Sequence, residues 1–141
     1  MFTYVLTFMG GAAVGVIMDK IMLKVKSDKS LERSKVLEDC FGEPMCTNIF
    51  TISEAKEWIM GRKEQLENGA KAVIMKANDS TLKRLGKELH IGSGVENMMI
   101  VAVVDTKQSK MLDAVLIKYE ALDAGLENAL AKGNGVLVVE R

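Results

Sequence analysis

Met98 to Val104 reads MMIVAVV, an apolar run without a charged side chain. A continuous apolar run of this length predicts a strand buried on both faces, because a strand with one exposed face alternates apolar and polar residues. We therefore predict that residues 98–104 form a central strand and that the other elements pack around it.

The sequence that follows this run indicates a hairpin, a helix and a final strand. Residues 106–110 form a polar connection, and residues 111–119 read as a second strand, antiparallel to the first. Residues 136–139 are apolar and predict the last strand. A helix between these strands is indicated by leucines four apart and by two glycines that follow them: Leu122, Leu126, Leu130, Gly133 and Gly135.

The sequence that precedes the run predicts two further strand and helix pairs. Residues 49–52 suggest a short strand, and Thr51 with Glu54 has the spacing of a capping box for a helix that ends before Gly69. Residues 72–75 form an apolar strand, and the helix after it carries Leu82, Leu85 and Leu89 on one face. The order β-α-β-α-β-β-α-β predicts an α/β (α+β) domain with a mixed sheet over residues 48–141.

The N-terminal segment has the composition of a membrane anchor. No charged side chain occurs in residues 1–18, and this stretch would be roughly 27 Å long as a helix, close to a hydrocarbon core of about 30 Å. Because Lys20 can extend its ammonium group to the headgroups, we predict a single transmembrane helix over residues 1–23. Residues 24–47 would form a basic, partly helical connector. The side chains expected to contact lipid are Phe2, Tyr4, Val5, Leu6, Phe8, Val14, Val16 and Ile17.

The charges beside this segment predict its orientation. Six basic and three acidic residues lie between Asp19 and Lys35, so the positive-inside rule places the N-terminus outside and the α/β domain in the cytoplasm. Lys20, Lys24 and Lys26 are expected to contact the headgroups of the lipid bilayer. The whole chain carries 19 basic and 19 acidic residues, a balance that does not indicate nucleic-acid binding.

Other interpretations of the N-terminal segment are open. Gly11 and Gly15 share one helix face, where a second anchor could approach closely and form a homo-oligomer. The segment could also be a helix buried in a core or a subunit interface, or a signal peptide, although it lacks a basic n-region and a cleavage site. Residues 10–15, GGAAVG, fit a loosened dinucleotide-binding loop after a strand at residues 3–8, but no second buried strand with an acidic end follows.

The loop around His90 is the first candidate for a catalytic or ligand-binding site. Gly92, Ser93 and Gly94 could present backbone N–H groups to an anion, with His90 as acid or base. The simpler interpretation is a helix C-terminus with a basic residue in its last turn, followed by a glycine turn.

The carboxylates and cysteines give only weak indications of a functional site. Asp105 and Asp113 could converge with Glu120 as an acid–base or cation site, but an aspartate is also typical of a turn or a solvent-facing position. Cys40 and Cys46 match neither a redox motif nor a zinc motif. We therefore expect no metal site and no cofactor.

Three functional hypotheses follow from these patterns. The first is a single-pass membrane protein whose cytoplasmic α/β domain acts as a binding, scaffold or assembly component for an unknown protein partner. The second is a small enzyme that uses the loop at residues 90–94 with nearby carboxylates. The third is a soluble oligomeric protein whose N-terminal apolar segment is buried in its core or interface. The sequence carries no resemblance to a family from which a function could be transferred.

Overall fold

A computed structural model describes residues 3–5, 11–27, 33–77, 97–133 and 135–140. These residues form six strands and five helices, which we number in chain order. The elements are β1 Thr3–Val5, α1 Gly11–Ser27, α2 Arg33–Phe41, β2 Met45–Phe50, α3 Ile52–Met60, α4 Lys63–Glu67, β3 Lys71–Lys76, β4 Met98–Asp105, β5 Lys110–Leu122, α5 Ala124–Lys132 and β6 Val136–Glu140.

The six strands form one mixed sheet in the order β1-β6-β3-β4-β5-β2. All neighbouring strands are antiparallel except β2 and β5, which run parallel. Strand β4 lies inside the sheet, and its residues from Met98 to Val104 are all buried. The mixed α/β architecture, the central strand and its antiparallel hairpin with β5 agree with the sequence prediction.

Helices cover both faces of the sheet. Because side chains alternate along a strand, Val73 and Met75 lie on one face of β3, whereas Ala72 and Ile74 lie on the other. The first face packs against α1 and α2, and the second face packs against α3, α4 and α5. The described residues therefore form a three-layer α/β/α sandwich with two apolar cores.

Local sequence signals explain where helices α3 and α5 begin. Thr51 is the N-cap of α3, and its hydroxyl accepts a hydrogen bond from the N–H of Glu54 at 3.1 Å, which is the predicted capping contact. Asp123 caps α5 by accepting the N–H of Leu126 at 2.9 Å. The predicted single helix after Thr51 is instead two helices, because the chain turns at Gly61 and Arg62 before α4 begins.

The structure does not support the predicted transmembrane helix. Ile17 and Ile21 are fully buried against the sheet, and Val14 is almost so, whereas Leu23 is 70% exposed on the opposite side of α1. Helix α1 thus buries its apolar stripe in the protein's own core. No helix among the described residues combines the length and the apolar character that a membrane crossing requires. The membrane location and the N-out orientation stay predictions.

The other residues assigned to the anchor have varied positions. Val16 packs against the α1 core, and Tyr4 and Val5 belong to β1, which pairs with β6. Residues 2, 6 and 8 lie outside the described part of the chain. A methyl group built at Gly15 would meet no atom within 4 Å, so no neighbouring element of the described chain approaches Gly15 closely.

The basic residues beyond the anchor belong to the same body as the sheet. Lys20 is exposed, and the Nζ of Lys24 lies 3.5 Å from Oδ2 of Asp39 in helix α2. Lys26 is in α1. Helix α2 contributes Val36 and Leu37 to the core beneath α1. The segments expected to be an anchor and a connector therefore share a core with residues 48–141.

The dinucleotide-binding interpretation of residues 10–15 is also not supported. In that fold the first strand lies in the middle of a parallel sheet, so that the glycine loop faces a crevice at the strand ends. Strand β1 instead lies at the edge of the sheet and runs antiparallel to β6.

Candidate binding groove

A groove of about 370 Å³ lies between helix α3 and the second face of the sheet. Its floor is apolar and comes from strands β2, β4 and β5, with contributions from Met45, Phe50, Val101, Val115 and Ile117. One wall comes from α3, which contributes Trp58, Glu54 and Glu57. We refer to these eight residues as the α3 groove.

Strand pairing places the floor residues side by side. Met45 of β2 is the register partner of Ile117 in β5, and Val115 of β5 is the register partner of Val101 in β4. Residues opposite each other in neighbouring strands point to the same face, so these four side chains form a continuous apolar surface. Phe50, buried at the end of β2, closes one end of that surface.

The periodicity of α3 determines which of its side chains form the wall. Ala55 and Ile59 are buried against the sheet and hold the helix in place. Glu54, Glu57 and Trp58 are related by the i, i+3 and i+4 spacing, which puts them on one flank of the helix. The two glutamates are exposed, whereas Trp58 is half-buried. The groove therefore combines an apolar interior with an acidic rim.

Arg62 holds Trp58 in position. Its guanidinium carbon lies 3.7 Å from the centroid of the Trp58 ring, and its Nη1 donates to the Trp58 carbonyl at 2.9 Å. Its Nε donates to Asp113 Oδ2 of strand β5 at 2.7 Å. This network joins the end of α3 to the sheet at one side of the groove.

Two large apolar side chains near the groove are exposed on strand β2. Met45 is 49% exposed and Ile49 is 54% exposed. Strand β2 is the last strand of the sheet, and no strand of the described chain pairs with its outer side. No charged residue occurs between Met45 and Phe50. The α3 groove thus continues into an uncharged sheet edge.

The predicted ligand-binding loop cannot be placed beside this groove. His90, Gly92, Ser93 and Gly94 lie outside the described residues, as does the predicted helix with Leu82, Leu85 and Leu89. The enzyme hypothesis that uses this loop therefore stays a prediction.

The three predicted carboxylates do not form one site. Asp105 accepts the backbone N–H groups of Lys107 and Gln108 at 3.0 and 3.2 Å, so it stabilises the β4–β5 turn. Asp113 is paired with Arg62 and also accepts the N–H of Ala114 at 2.8 Å. Glu120 lies seven residues along β5 from Asp113, a separation of about 24 Å in an extended strand. Within the described residues, no group of three acidic, cysteine or histidine side chains could hold a metal ion.

The two cysteines have different surroundings. Cys40 of α2 is half-buried, and burial raises the pKa of its thiol, although the nearby Lys20 and Lys24 act in the opposite direction. Its Sγ lies 3.8 Å from the carbonyl of Lys20. Cys46 is exposed on strand β2, and both cysteines are free. Neither cysteine is one of the residues that line the α3 groove.

The sequence patterns do not predict the α3 groove. The spacing of Glu54, Glu57 and Trp58 gives part of the signal, because it marks a helix flank with an aromatic ring beside two acidic residues. The floor could not be predicted, since it depends on the pairing of β2 with a strand far along the chain. Comparison of the chain with protein-family models, with curated proteins and with solved structures finds no match.

Proposed function

We propose that this protein is a protein-binding module of a larger assembly, and that its α3 groove receives an extended segment with one or two large apolar side chains and an adjacent basic residue. The observation that most directly supports this proposal is the open apolar groove beside Trp58, which has two exposed carboxylates at its rim.

The size and lining of the groove support this proposal. Ligand sites have volumes of about 300–1,000 Å³, mostly apolar walls and a few polar groups that orient the ligand. The α3 groove, at about 370 Å³, lies at the lower end of this range and suits a few side chains better than a large cofactor. A large apolar side chain that enters it would remove Met45, Val115 and Trp58 from water together, which is the main favourable contribution to binding.

The rim supports a basic ligand. Glu54 and Glu57 lie about one helical turn apart on the same side of the groove, and both are exposed. A lysine or arginine beside the apolar anchor would be attracted by both carboxylates. Exposed ion pairs of this kind contribute about 0.2–1 kcal/mol each, so the rim selects among ligands while the apolar floor supplies most of the affinity.

The fluorescence of Trp58 can report whether the α3 groove is occupied. Trp58 is the only tryptophan in the chain, and it lines the groove. We would titrate the full chain with capped hexapeptides of three kinds: apolar with lysine, apolar with glutamate, and polar without charge. The proposal predicts a saturable blue shift of tryptophan emission with the first kind, because a bound aliphatic side chain removes water from the ring.

A matched pair of substitutions tests the rim. Glu57→Gln should weaken binding of the lysine-containing peptides by about two- to fivefold, because one exposed ion pair is lost. Glu64→Gln on α4 is the control, since Glu64 is exposed and lies outside the groove lining. The proposal is wrong if no peptide changes the Trp58 emission, or if the glutamate-containing peptides bind as tightly as the lysine-containing ones.

A further inference from the structure

A second cavity, of about 250 Å³, lies at one end of the sheet, where β3 ends, β4 begins and β5 ends. Its charged and polar lining comes from Lys76 of β3, Asn97 just before β4, Tyr119 and Glu120 of β5, and Glu127 of helix α5. We call this cavity the sheet-end pocket. None of these residues lines the α3 groove, so the sheet-end pocket is a separate site.

Strand register brings three of these side chains to the second face of the sheet. Lys76 is the register partner of Met99, a core residue of that face, and Tyr119 packs against the same core. Asn97 precedes Met99 by two residues, and its carbonyl accepts the N–H of Tyr119 at 3.1 Å. The strand order β3-β4-β5 therefore places Asn97 between Lys76 and Tyr119, on outer strands about 10 Å apart.

Two neutral side chains add hydrogen-bonding groups to the pocket. The side-chain nitrogen of Asn97 donates to the Glu120 carbonyl at 3.3 Å, and its carboxamide oxygen can accept a hydrogen bond from a ligand. Burial raises the pKa of the Tyr119 phenol, and the negative charge of Glu127 raises it further. Tyr119 is therefore an uncharged donor and acceptor at neutral pH, and the Glu127 carboxylate lies near its hydroxyl.

The charges of the pocket have no ionic partners within the described part of the chain. Lys76 forms no ion pair with a described residue, and neither do Glu120 and Glu127. The pocket thus combines one ammonium group with two carboxylates that do not pair with it. A ligand that carries both a carboxylate and an ammonium group would supply a partner for each sign of charge.

We propose that the sheet-end pocket binds a small zwitterionic amino acid, with its carboxylate on Lys76 and its ammonium group between Glu127 and Tyr119. The volume of the pocket equals that of roughly eight waters in the liquid, since one water occupies about 30 Å³. This volume suits an amino acid with a short side chain, and it lies below the range of about 300–1,000 Å³ that larger ligands occupy. The proposal does not depend on peptide binding in the α3 groove.

Matched ligands test whether the pocket recognises both charges. Ethylamine is L-alanine without its carboxylate and propionate is L-alanine without its ammonium group, and the same two molecules are the truncated forms of β-alanine. In proton–nitrogen correlation NMR spectra of the full chain, L-alanine or β-alanine should shift the side-chain signal of Asn97 and the backbone signal of Tyr119 saturably. Each truncated ligand should bind roughly fivefold more weakly, because one ion pair is lost. The tighter isomer identifies the spacing of charges that the pocket prefers.

Two substitutions assign the charges to their side chains. Lys76→Met should weaken binding of the amino acid roughly fivefold without weakening that of ethylamine, because only the carboxylate contact is lost. Glu127→Gln should weaken binding of the amino acid without weakening that of propionate. Lys107→Met and Glu64→Gln are the matched controls, because both residues are exposed and lie outside the pocket.

The inference would be overturned if neither amino acid gave saturable shifts, or if ethylamine or propionate bound as tightly as the better amino acid. An equal loss for all ligands in the Lys76→Met variant would also contradict it, because that result indicates a disturbed fold rather than a lost charge contact. The peptide titration of Trp58 would be unaffected by any of these results, since Trp58 lines the other site.

Discussion

The guanidinium of Arg62 lies over the ring of Trp58, at 3.7 Å from the ring centroid, and its hydrogen bond to Asp113 fixes it to strand β5. The only tryptophan of the chain therefore packs against a cation and also lines the groove. This arrangement orients the wall of the proposed binding site before any ligand arrives.

Arg62→Met should destabilise the protein by about 1 kcal/mol and weaken peptide binding, because it removes the Asp113 ion pair and the cation–π contact. The stability effect is small since both partners of the ion pair are partly exposed. Urea unfolding and the Trp58 titration measure the two effects. Lys63→Met is the control, because the Lys63–Glu67 pair is longer and more exposed, and it should change neither quantity.

Asp123→Ala should cost about 1–3 kcal/mol of unfolding free energy. The Asp123 carboxylate caps α5 and also accepts the N–H of Ile52 at 3.3 Å. One side chain therefore accepts hydrogen bonds from backbone N–H groups in the first turns of two helices, α3 and α5. Asp123→Asn keeps one acceptor oxygen and should retain much of the stability. Equal losses in the two variants would contradict a role based on hydrogen bonding.

Ile17→Ala should destabilise the protein by about 2–5 kcal/mol, because Ile17 is fully buried between α1 and the sheet. Leu23→Ala, on the exposed side of the same helix, should change the unfolding free energy by less than about 0.5 kcal/mol. Thermal or urea unfolding of the two variants decides between a core helix and a helix that contacts lipid. Similar effects at both positions would contradict the packing of α1 described above.

Cys46 should react with a thiol reagent faster than Cys40 near neutral pH. The thiolate is the reactive form, and burial raises the pKa of Cys40, which is half-buried, whereas Cys46 is exposed. Mass spectrometry of timed labelling measures both rates in one sample. In urea the two rates should become similar, and a difference that persists after unfolding would refute this explanation.

The unfolding free energy should fall at alkaline pH. Burial raises the pKa values of Cys40 and Tyr119 in the folded state, with a further contribution from Glu127 at Tyr119. The associated stability is complete below the ordinary pKa values of about 8.5 and 10 and is lost as the pH rises through the higher folded values. Urea unfolding from neutral to alkaline pH tests this, and Cys40→Ser should make the decline shallower.

The strands were predictable because their burial is encoded in the sequence itself. Residues 72–75, 98–104 and 136–139 are apolar throughout, and they form β3, β4 and β6 within one or two residues of the prediction. The contact between Thr51 and Glu54 was predictable for a similar reason, since a capping box is a local motif.

The environment of the N-terminal segment was not predictable. An uncharged run of 18 residues is compatible with lipid or with a sheet face, and only tertiary packing decides which of them covers Ile17. The α3 groove was not predictable for the same reason. Its floor requires β2 to pair in parallel with β5, and no local pattern encodes a pairing between segments so far apart in the chain.

The position of β6 affects how the chain is made. This strand lies between β1 and β3 and pairs with both, although it is synthesised after both of them. While β6 is still inside the ribosome, β1 has no neighbour in the described sheet and one side of β3 is bare. The nascent chain therefore cannot complete this sheet until residue 140 has emerged, and a pause in translation before that point would leave an apolar strand available to chaperones or to aggregation.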